Sequence, residues 1–145
     1  MILNNQERPK VGVGVAVLAE GMVLLGKRKG THGSGLFAMP GGHLEYGETV
    51  EECAKRELFE ETGLEATALE LGTWTNDLLD GAKHFVTLFV FVHAFTGELA
   101  LKEPNKCEGW DWYHWHRLPM PLFQPILSMI DKVGMDQFIS AKAKR

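Results

Sequence analysis

The chain has 145 residues, of which 45% are hydrophobic and 23% are charged. This composition is ordinary for a globular protein, predicts a single domain over residues 1–145 and argues against a disordered or membrane-embedded chain. The net charge of −4 provides no broad basic surface, so we expect no nucleic acid polymer as a partner. A small phosphate-bearing ligand bridged by a metal ion remains compatible with this charge.

The end segments and the cysteines indicate an intracellular protein. Cys53 and Cys107 are too few for a disulfide framework and lack zinc-binding spacing, so we expect two reduced thiols. The first ten residues lack the apolar core of a signal peptide, and the expected location is therefore cytoplasmic. Residues 1–10 and 137–145 are expected to be loosely ordered.

Two apolar runs open the chain. VGVGVAVL at 11–18 and GMVLLGKR at 21–28 predict neighbouring strands joined by a hairpin at Glu20-Gly21. Arg28 ends the second run within a basic turn, where it is either a solvated residue or a contact for a phosphate. A loop of small and polar residues follows from Gly30 to Gly35.

The segment 42–64 is the most informative part of the chain, because it holds seven glutamates between Glu45 and Glu61. It predicts a helix from about Glu48 to Thr62. Gly47 or Glu48 opens this helix, and Gly63 can adopt the left-handed conformation that ends it.

Three carboxylates of this helix, Glu57, Glu60 and Glu61, share the face that otherwise points into the protein. Buried and unpaired carboxylates are costly, so they require a cationic partner. Arg56 can pair with Glu52 and Glu60 at helical spacing, but one guanidinium cannot neutralise three glutamates. A divalent metal ion bound by oxygen ligands is the better explanation.

The remaining elements complete an α+β pattern with a mixed sheet. Residues 66–79 and 84–95 predict two long strands joined by a turn at Asp80-Gly81, and the alternating tryptophans of EGWDWYHW at 108–115 predict a short last strand. A second helix is expected from Leu122 to about Val133, with a proline in its first turn. Four phenylalanines of the run at 84–95 are expected in the core and not on a base: Phe85, Phe89, Phe91 and Phe95.

The glutamate segment resembles the signature of a known family. Gly42, five residues, Glu48, seven residues and then RELFEETGL at 56–64 resemble the Nudix box at every specified position. GKRKG at 26–30, PGGH at 40–43, EGWDWYHW at 108–115 and LPMPLF at 118–123 are similar to one MutT-like branch of that family. This branch contains a vertebrate thiopurine-nucleotide-hydrolysing enzyme and a plant cytosolic hydrolase linked to 8-oxo-dGTP and geranyl diphosphate.

The resemblance implies a fold, a reaction and a cofactor. The implied fold is an α/β/α sandwich, in which a mixed sheet lies between the box helix and the C-terminal helix. The implied reaction is hydrolysis of a phosphoanhydride in a nucleoside triphosphate, such as an oxidised or modified guanine nucleotide, to the monophosphate and pyrophosphate. Mg²⁺ or Mn²⁺ would serve as the cofactor.

The resemblance also implies roles for individual residues. Arg56 would orient the carboxylates, and Glu60, in preference to Glu61, would accept the proton of the attacking water. Either Glu103 or Glu108 could complete the site from a distant loop or remain solvated. The expected metal ligands are the Gly41 carbonyl, Glu57, Glu60 and Glu61, and the expected substrate contacts are Arg28, Gly42 and His43.

Several alternatives remain open. The substrate could be another nucleoside diphosphate-linked compound or a prenyl diphosphate, and a Nudix domain could bind a nucleotide without turnover. Gln124 stands where related chains often have tryptophan, which leaves the purine preference open. A homodimer is possible, since relatives often form one.

Overall fold

The computed structural model describes residues 8–30, 33–79 and 83–134. The turn predicted at Asp80-Gly81 and the tail predicted from residue 137 lie outside these ranges, as do residues 1–7 of the predicted leader. The described elements are, in chain order, β1 (Lys10–Ala19), β2 (Met22–Arg28), β3 (Phe37–Ala38), β4 (Gly41–His43), α1 (Val50–Thr62), β5 (Glu65–Leu79), β6 (Lys83–Thr96), β7 (Cys107–His114) and α2 (Gln124–Val133).

The strands form a mixed sheet in the order β3-β2-β1-β6-β5. β1 is parallel to β6, while the β1–β2 and β5–β6 pairs are antiparallel. The start of β1 also pairs with β4, and β7 pairs with β2. Because β1 pairs with β2 only through Leu18 and Ala19, its first half is left to pair with the glycines of β4.

Alternation along β1 divides the core between the two faces of the sheet. Val13, Val15 and Val17 point towards α1, whereas Ala16 and Leu18 point towards α2. All five side chains are buried, and each large one stabilises the fold by about 1.5–3 kcal/mol. This arrangement of two helices on opposite faces of a mixed sheet confirms the predicted α+β sandwich.

Helix α1 begins at Val50, two residues later than the predicted start at Glu48. Thr49 is the N-cap: its side chain accepts a hydrogen bond from the Glu52 backbone N–H, and the Glu52 carboxylate accepts one from the Thr49 N–H. The prediction of Gly47 or Glu48 at this position was wrong, because a glycine cannot supply this side-chain acceptor and Glu48 is used elsewhere. Gly63 ends the helix in the left-handed conformation, as predicted.

The predicted phenylalanine core is only partly correct. Phe89 and Phe91 are buried. Phe95 packs against the core on the α1 side of the sheet, and its ring centre lies 5.8 Å from that of Trp112. Phe85 instead stacks on the ring of His43, with centroids 5.5 Å apart, at the surface of a cleft. The prediction was wrong for Phe85, because hydrophobicity alone does not distinguish a core residue from the wall of a cleft.

The other sequence expectations agree with the structure in most respects. Both cysteines are free thiols and buried. Helix α2 ends at Val133 as predicted but begins at Gln124, two residues later than the predicted Leu122. It carries Pro125 in its first turn, where a backbone N–H would have no intrahelical hydrogen-bond partner. No helix within the described ranges is long and apolar enough to cross a membrane.

Candidate active site

A cleft of about 560 Å³ opens on the α2 side of the sheet. Gly41 and Gly42 of β4, together with Glu57 and Glu61 of α1, form its acidic end, and Arg28 at the end of β2 also lines it. The volume is in the range of sites that bind small organic ligands. The residues brought together here come from three elements separated by up to 33 positions.

Gly42 allows Glu57 to enter the cleft. A Cβ atom added to Gly42 would lie 1.5 Å from Oε2 of Glu57 and 2.4 Å from its Cδ, so any side chain at position 42 would displace the carboxylate. Glycine at this position is therefore required by the close approach of α1 to β4.

Glu61 is held from two sides. Its Oε2 accepts a hydrogen bond from the backbone N–H of Gly41 at 2.9 Å. Its backbone carbonyl accepts one from the Trp110 indole Nε1 at 3.2 Å and another from the Lys102 N–H at 3.3 Å. These bonds satisfy a carbonyl at the C-terminus of α1 and fix the residue between β4 and β7.

The electrostatics of the two carboxylates differ from those of surface glutamates. Burial raises the pKa of Glu57 to about 7, with further contributions from the charges of Glu60 and Glu103, and Arg56 opposes the shift. Burial raises the pKa of Glu61 to about 8, although the Gly41 N–H opposes this shift. Two neighbouring carboxylates whose negative charge is disfavoured are a suitable site for a cation.

Arg56 forms the centre of an ion-pair network beside the cleft. Its Nε and Nη2 bond Glu48 at 2.6 and 3.1 Å, and its Nη1 lies 3.2 Å from Glu60 and 3.7 Å from Glu57. Its Nη2 also donates to the backbone carbonyl of His43 at 3.3 Å. This fork ties α1 to the β4 segment.

The network departs from the predicted pairing at Glu52, whose carboxylate instead accepts the hydrogen bond of the helix cap. Glu48 replaces it as the partner of Arg56, and the hydrogen bond lowers the pKa of Glu48 to about 2. The hydrogen bond to Glu48 also raises the pKa of Arg56, which therefore remains a cation.

Glu60 does not share the buried face of Glu57 and Glu61. Its side chain is 47% exposed and rests against Arg56, whereas the Glu57 side chain is 15% exposed. The prediction of three inward-facing carboxylates was wrong for Glu60. Consecutive residues of a helix are about 100° apart around its axis, so Glu60 points towards solvent when Glu61 points inward. Within the described ranges, no three His, Cys, Asp or Glu side chains are grouped in an arrangement that could hold a metal ion.

The loop between β6 and β7 brings a further carboxylate to the cleft. The N–H groups of Ala100 and Lys102 donate to carbonyls in the last turn of α1, which docks the loop on the helix. Glu103 lines the cleft together with Lys106, and their charged atoms lie 3.9 Å apart. Glu108 is exposed and does not line the cleft, so the structure distinguishes two glutamates that the sequence could not.

The predicted substrate contacts also line the cleft. The Arg28 guanidinium lies 4.6 Å from the centre of the Phe123 ring, and burial lowers its pKa while the nearby Glu61 carboxylate opposes this shift. His43 lines the cleft wall through its contact with Phe85. Arg28 and His43 therefore lie where a ligand of the cleft would meet them.

Other lining residues were not identified from the sequence. Leu79, Phe85 and Ile126 form an apolar part of the wall. Lys106 adds a cation to that of Arg28, and three further basic residues also line the cleft: Arg8, Lys10 and Lys83. Leu79 lies on the inward-facing side of β5, and this alternation was the available signal, since burial recurs at every second residue at that end of the strand. Lys106 reaches the cleft because the loop between β6 and β7 docks on the end of α1. No local sequence pattern predicts this docking.

The donor atoms at the acidic end fit a hard divalent cation. Glu57 and Glu61 supply carboxylate oxygens on one side of α1, and burial disfavours their charge unless a cation is present. Glu60 would join them by giving up its contact with Arg56, which is possible because its side chain is half exposed.

The chain matches known proteins along most of its length. The NUDIX domain family matches residues 8–132. An ADP-ribose pyrophosphatase of Methanocaldococcus jannaschii is 36% identical over 99 residues, a match that covers 68% of this chain and 59% of that protein. A putative 8-oxo-dGTP diphosphatase of Bacillus subtilis is 33% identical over 111 residues, with 75% and 69% covered. The chain thus spans less than two thirds of the archaeal relative.

One solved structure supports the same relationship. The MutT NUDIX hydrolase of Burkholderia pseudomallei has a TM-score of 0.80 and 31% sequence identity to this chain. The match covers 90% of this chain and 98% of that structure.

Proposed function

Because the chain belongs to the Nudix hydrolase family, we propose that its cleft hydrolyses a phosphoanhydride bond of a nucleoside triphosphate, releasing a nucleoside monophosphate and pyrophosphate. The observation that carries this proposal is the pair Glu57 and Glu61, which lie at one end of a ligand-sized cleft against two glycines. Arg28 lines the same cleft, where a guanidinium can bond phosphate oxygens.

Nudix enzymes generally use divalent metal ions. For this chain we assign the ion as Mg²⁺, with Mn²⁺ as a substitute, to Glu57, Glu61, Glu60 and the carbonyl of Gly41. When bound, the ion would offset the phosphate charge and lower the pKa of the attacking water. The backbone N–H of Gly41 holds the Glu61 carboxylate for this task.

The remaining residues orient the reacting groups. Arg56 holds Glu60 and Glu57 at the edge of the cleft and is itself anchored by Glu48, so it acts as a positioning residue. We propose two alternative acceptors for the proton of the attacking water: Glu60, in which case it does not also bind the metal ion, or Glu103, which lines the cleft.

One of the two relatives supports a modified purine nucleotide as the substrate that we propose. The Bacillus subtilis relative is named for 8-oxo-dGTP, and the archaeal relative for ADP-ribose. Both substrates join a nucleoside to a chain of phosphates, which suits a cleft that is acidic at one end and apolar along one wall. We place 8-oxo-dGTP and other modified guanine triphosphates first.

The test is a substrate panel with a metal control. Pyrophosphate and phosphate release would be measured from normal and oxidised nucleoside triphosphates and from geranyl diphosphate, and AMP formation from ADP-ribose, with Mg²⁺ and with EDTA. The proposal expects pyrophosphate release from triphosphates that EDTA abolishes. Release of phosphate from other compounds only, or metal-independent turnover, would refute it.

A prenyl diphosphate is the second candidate, and the apolar wall formed by Leu79, Phe85 and Ile126 favours it. Such a ligand would place its diphosphate at the glutamates and its hydrocarbon chain along this wall. Turnover of geranyl diphosphate with no triphosphate hydrolysis in the same panel would support this reading in place of the first.

A further inference from the structure

A group of basic residues lines the cleft at the end remote from the glutamates. Lys10 begins β1 and Lys83 begins β6, and both line the cleft together with Arg8. The chain as a whole has a net charge of −4, so three cations in the wall of one cleft do not reflect a generally basic surface. None of the three takes part in the proposed chemistry at Glu57 and Glu61.

The register of the sheet places these residues on one face. Lys10 pairs with Phe85 across the parallel strands β1 and β6, so the two side chains point to the same side of the sheet. Lys83 lies two residues before Phe85 and therefore points to that side as well. Arg8 lies two residues before Lys10 and lines the same cleft. The three cations thus converge on one part of the cleft wall.

Within the residues that the structure describes, no carboxylate forms an ion pair with these three cations. The ion pairs of those residues involve other basic side chains, namely Arg56, His93 and Lys106. Neighbouring like charges repel one another, and a bound anion would offset this repulsion. Lysine and arginine bind phosphate oxygens through charge-assisted hydrogen bonds, so a phosphate group is the anion that this cluster suits.

The floor of the cleft is open between the glutamates and the cations. Lys10, Gly12 and Gly14 lie on the cleft face of β1, and Gly14 pairs with Gly41 beside the glutamates. On this face, Lys10 is therefore separated from the glutamate end by glycines alone. Lys10 lies four residues before Gly14, which is about 13 Å along the strand. A ligand can lie over the glycines and reach both ends.

Neither packing nor backbone conformation requires glycine at position 12. A Cβ atom added to Gly12 would lie 3.7 Å from Oγ1 of Thr87 and 3.8 Å from both the Gly42 carbonyl oxygen and a ring carbon of Phe85, which are ordinary contact distances. Gly12 also lacks the positive φ angle that favours glycine. The missing side chain at this position instead leaves space for a ligand above the strand.

We propose that Arg8, Lys10 and Lys83 form a second anion-binding site, which takes a phosphate group that the substrate carries away from the hydrolysed bond. The substrate class is then a nucleotide with phosphate at two places. One is the 5′ phosphate at the glutamates, and the other is a phosphate on the ribose or at the end of a longer phosphate chain. The inference rests on the proposed function for the position of the first phosphate.

The test measures binding of ligands that the proposed reaction cannot cleave. Guanosine 3′,5′-bisphosphate is compared with GMP, and α,β-methylene GTP with α,β-methylene GDP, by calorimetry in Mg²⁺. The first pair tests a phosphate on the ribose, and the second tests a longer phosphate chain. The double variant Lys10→Gln/Lys83→Gln removes two of the cations. Its control, Lys55→Gln/Lys102→Gln, removes the same charge from two lysines that do not line the cleft. All four lysines are exposed, so both variants are expected to fold.

We expect the wild-type protein and the control variant to bind the ligand with the additional phosphate about tenfold or more tightly than its partner in at least one pair. The pair that shows this preference identifies the source of the phosphate. In Lys10→Gln/Lys83→Gln the preference should be largely lost. A wild-type protein with no preference in either pair, or preferences that all survive in the double variant, would overturn the inference.

This result is independent of the substrate panel. If no triphosphate is hydrolysed but the preference follows Lys10 and Lys83, the second site stands and the proposed reaction fails. If triphosphates are hydrolysed and neither pair shows a preference, the proposed reaction stands and the second site fails.

Discussion

Replacing Gly42 by alanine should inactivate the enzyme with little effect on folding. The new Cβ would lie 1.5 Å from Oε2 of Glu57, and real Cβ atoms essentially never approach another atom within 3.0 Å. The carboxylate would therefore retreat by about 1.5 Å, the difference between the two distances. Since a misplacement of about 1 Å can cost roughly 100-fold in rate, we expect kcat to fall by about that factor or more.

Gly41 provides the matched control, because the same substitution meets different atoms. A Cβ at Gly41 would lie 2.2 Å from the backbone carbonyl of Val13 and 3.2 Å from the Cα of Gly14. A β1 carbonyl cannot rotate away as a glutamate side chain can, so β4 must separate from β1. We expect Gly41→Ala to lose about 1–3 kcal/mol of stability, as overpacked sites do.

The assay combines thermal unfolding with steady-state kinetics on the substrate identified by the panel. Gly42→Ala should unfold within a few degrees of the wild-type protein and retain about 1% of its kcat or less. Gly41→Ala should unfold at a clearly lower temperature. A Gly42→Ala protein with wild-type kcat, or a Gly41→Ala protein with wild-type stability, would refute the reasoning.

Three further predictions concern residues around the carboxylate pair Glu57 and Glu61. Arg56→Lys should lower kcat by about tenfold, because an ammonium cannot replace the fork that bonds Glu48; unchanged kinetics would exclude the positioning role. Glu103→Gln should lower kcat by about tenfold or more, whereas Glu108→Gln should leave kcat unchanged. Equal effects of the two substitutions would contradict the assignment of Glu103, and not Glu108, to the cleft. Trp110→Phe should cost about 1 kcal/mol in urea unfolding, since it removes one hydrogen bond to the end of α1; no measurable change would show that this bond is dispensable.

The sequence predicted the parts of the fold that depend on local patterns. The apolar runs of β1 and β2, the amphipathic α2 and the helix end at Gly63 follow from local composition, periodicity and backbone preference, and the structure contains them. The helix start was missed because periodicity does not reveal the cap, although the capping-box pattern Thr49-x-x-Glu52 is present in the sequence and would have placed it.

The site was predictable where it lies on one element and not where it depends on tertiary contacts. Glu57 and Glu61 are one helical turn apart and were identified together. The Arg56–Glu48 pair was missed because Glu48 precedes the helix, so helical spacing does not relate the two residues. Glu103 reaches the cleft because its loop docks on the end of α1, a contact that only the folded chain shows.

The most direct test of the account is the activity of Glu57→Gln and Glu61→Gln, measured beside Glu108→Gln as a control for removing one negative charge. The substitutions keep the size of each side chain and remove the charge that would hold the metal ion. We predict at least about 100-fold loss of Mg²⁺-dependent hydrolysis in the first two variants, wild-type activity in the control, and folded proteins in all three cases. Wild-type turnover by folded Glu57→Gln and Glu61→Gln proteins would contradict it.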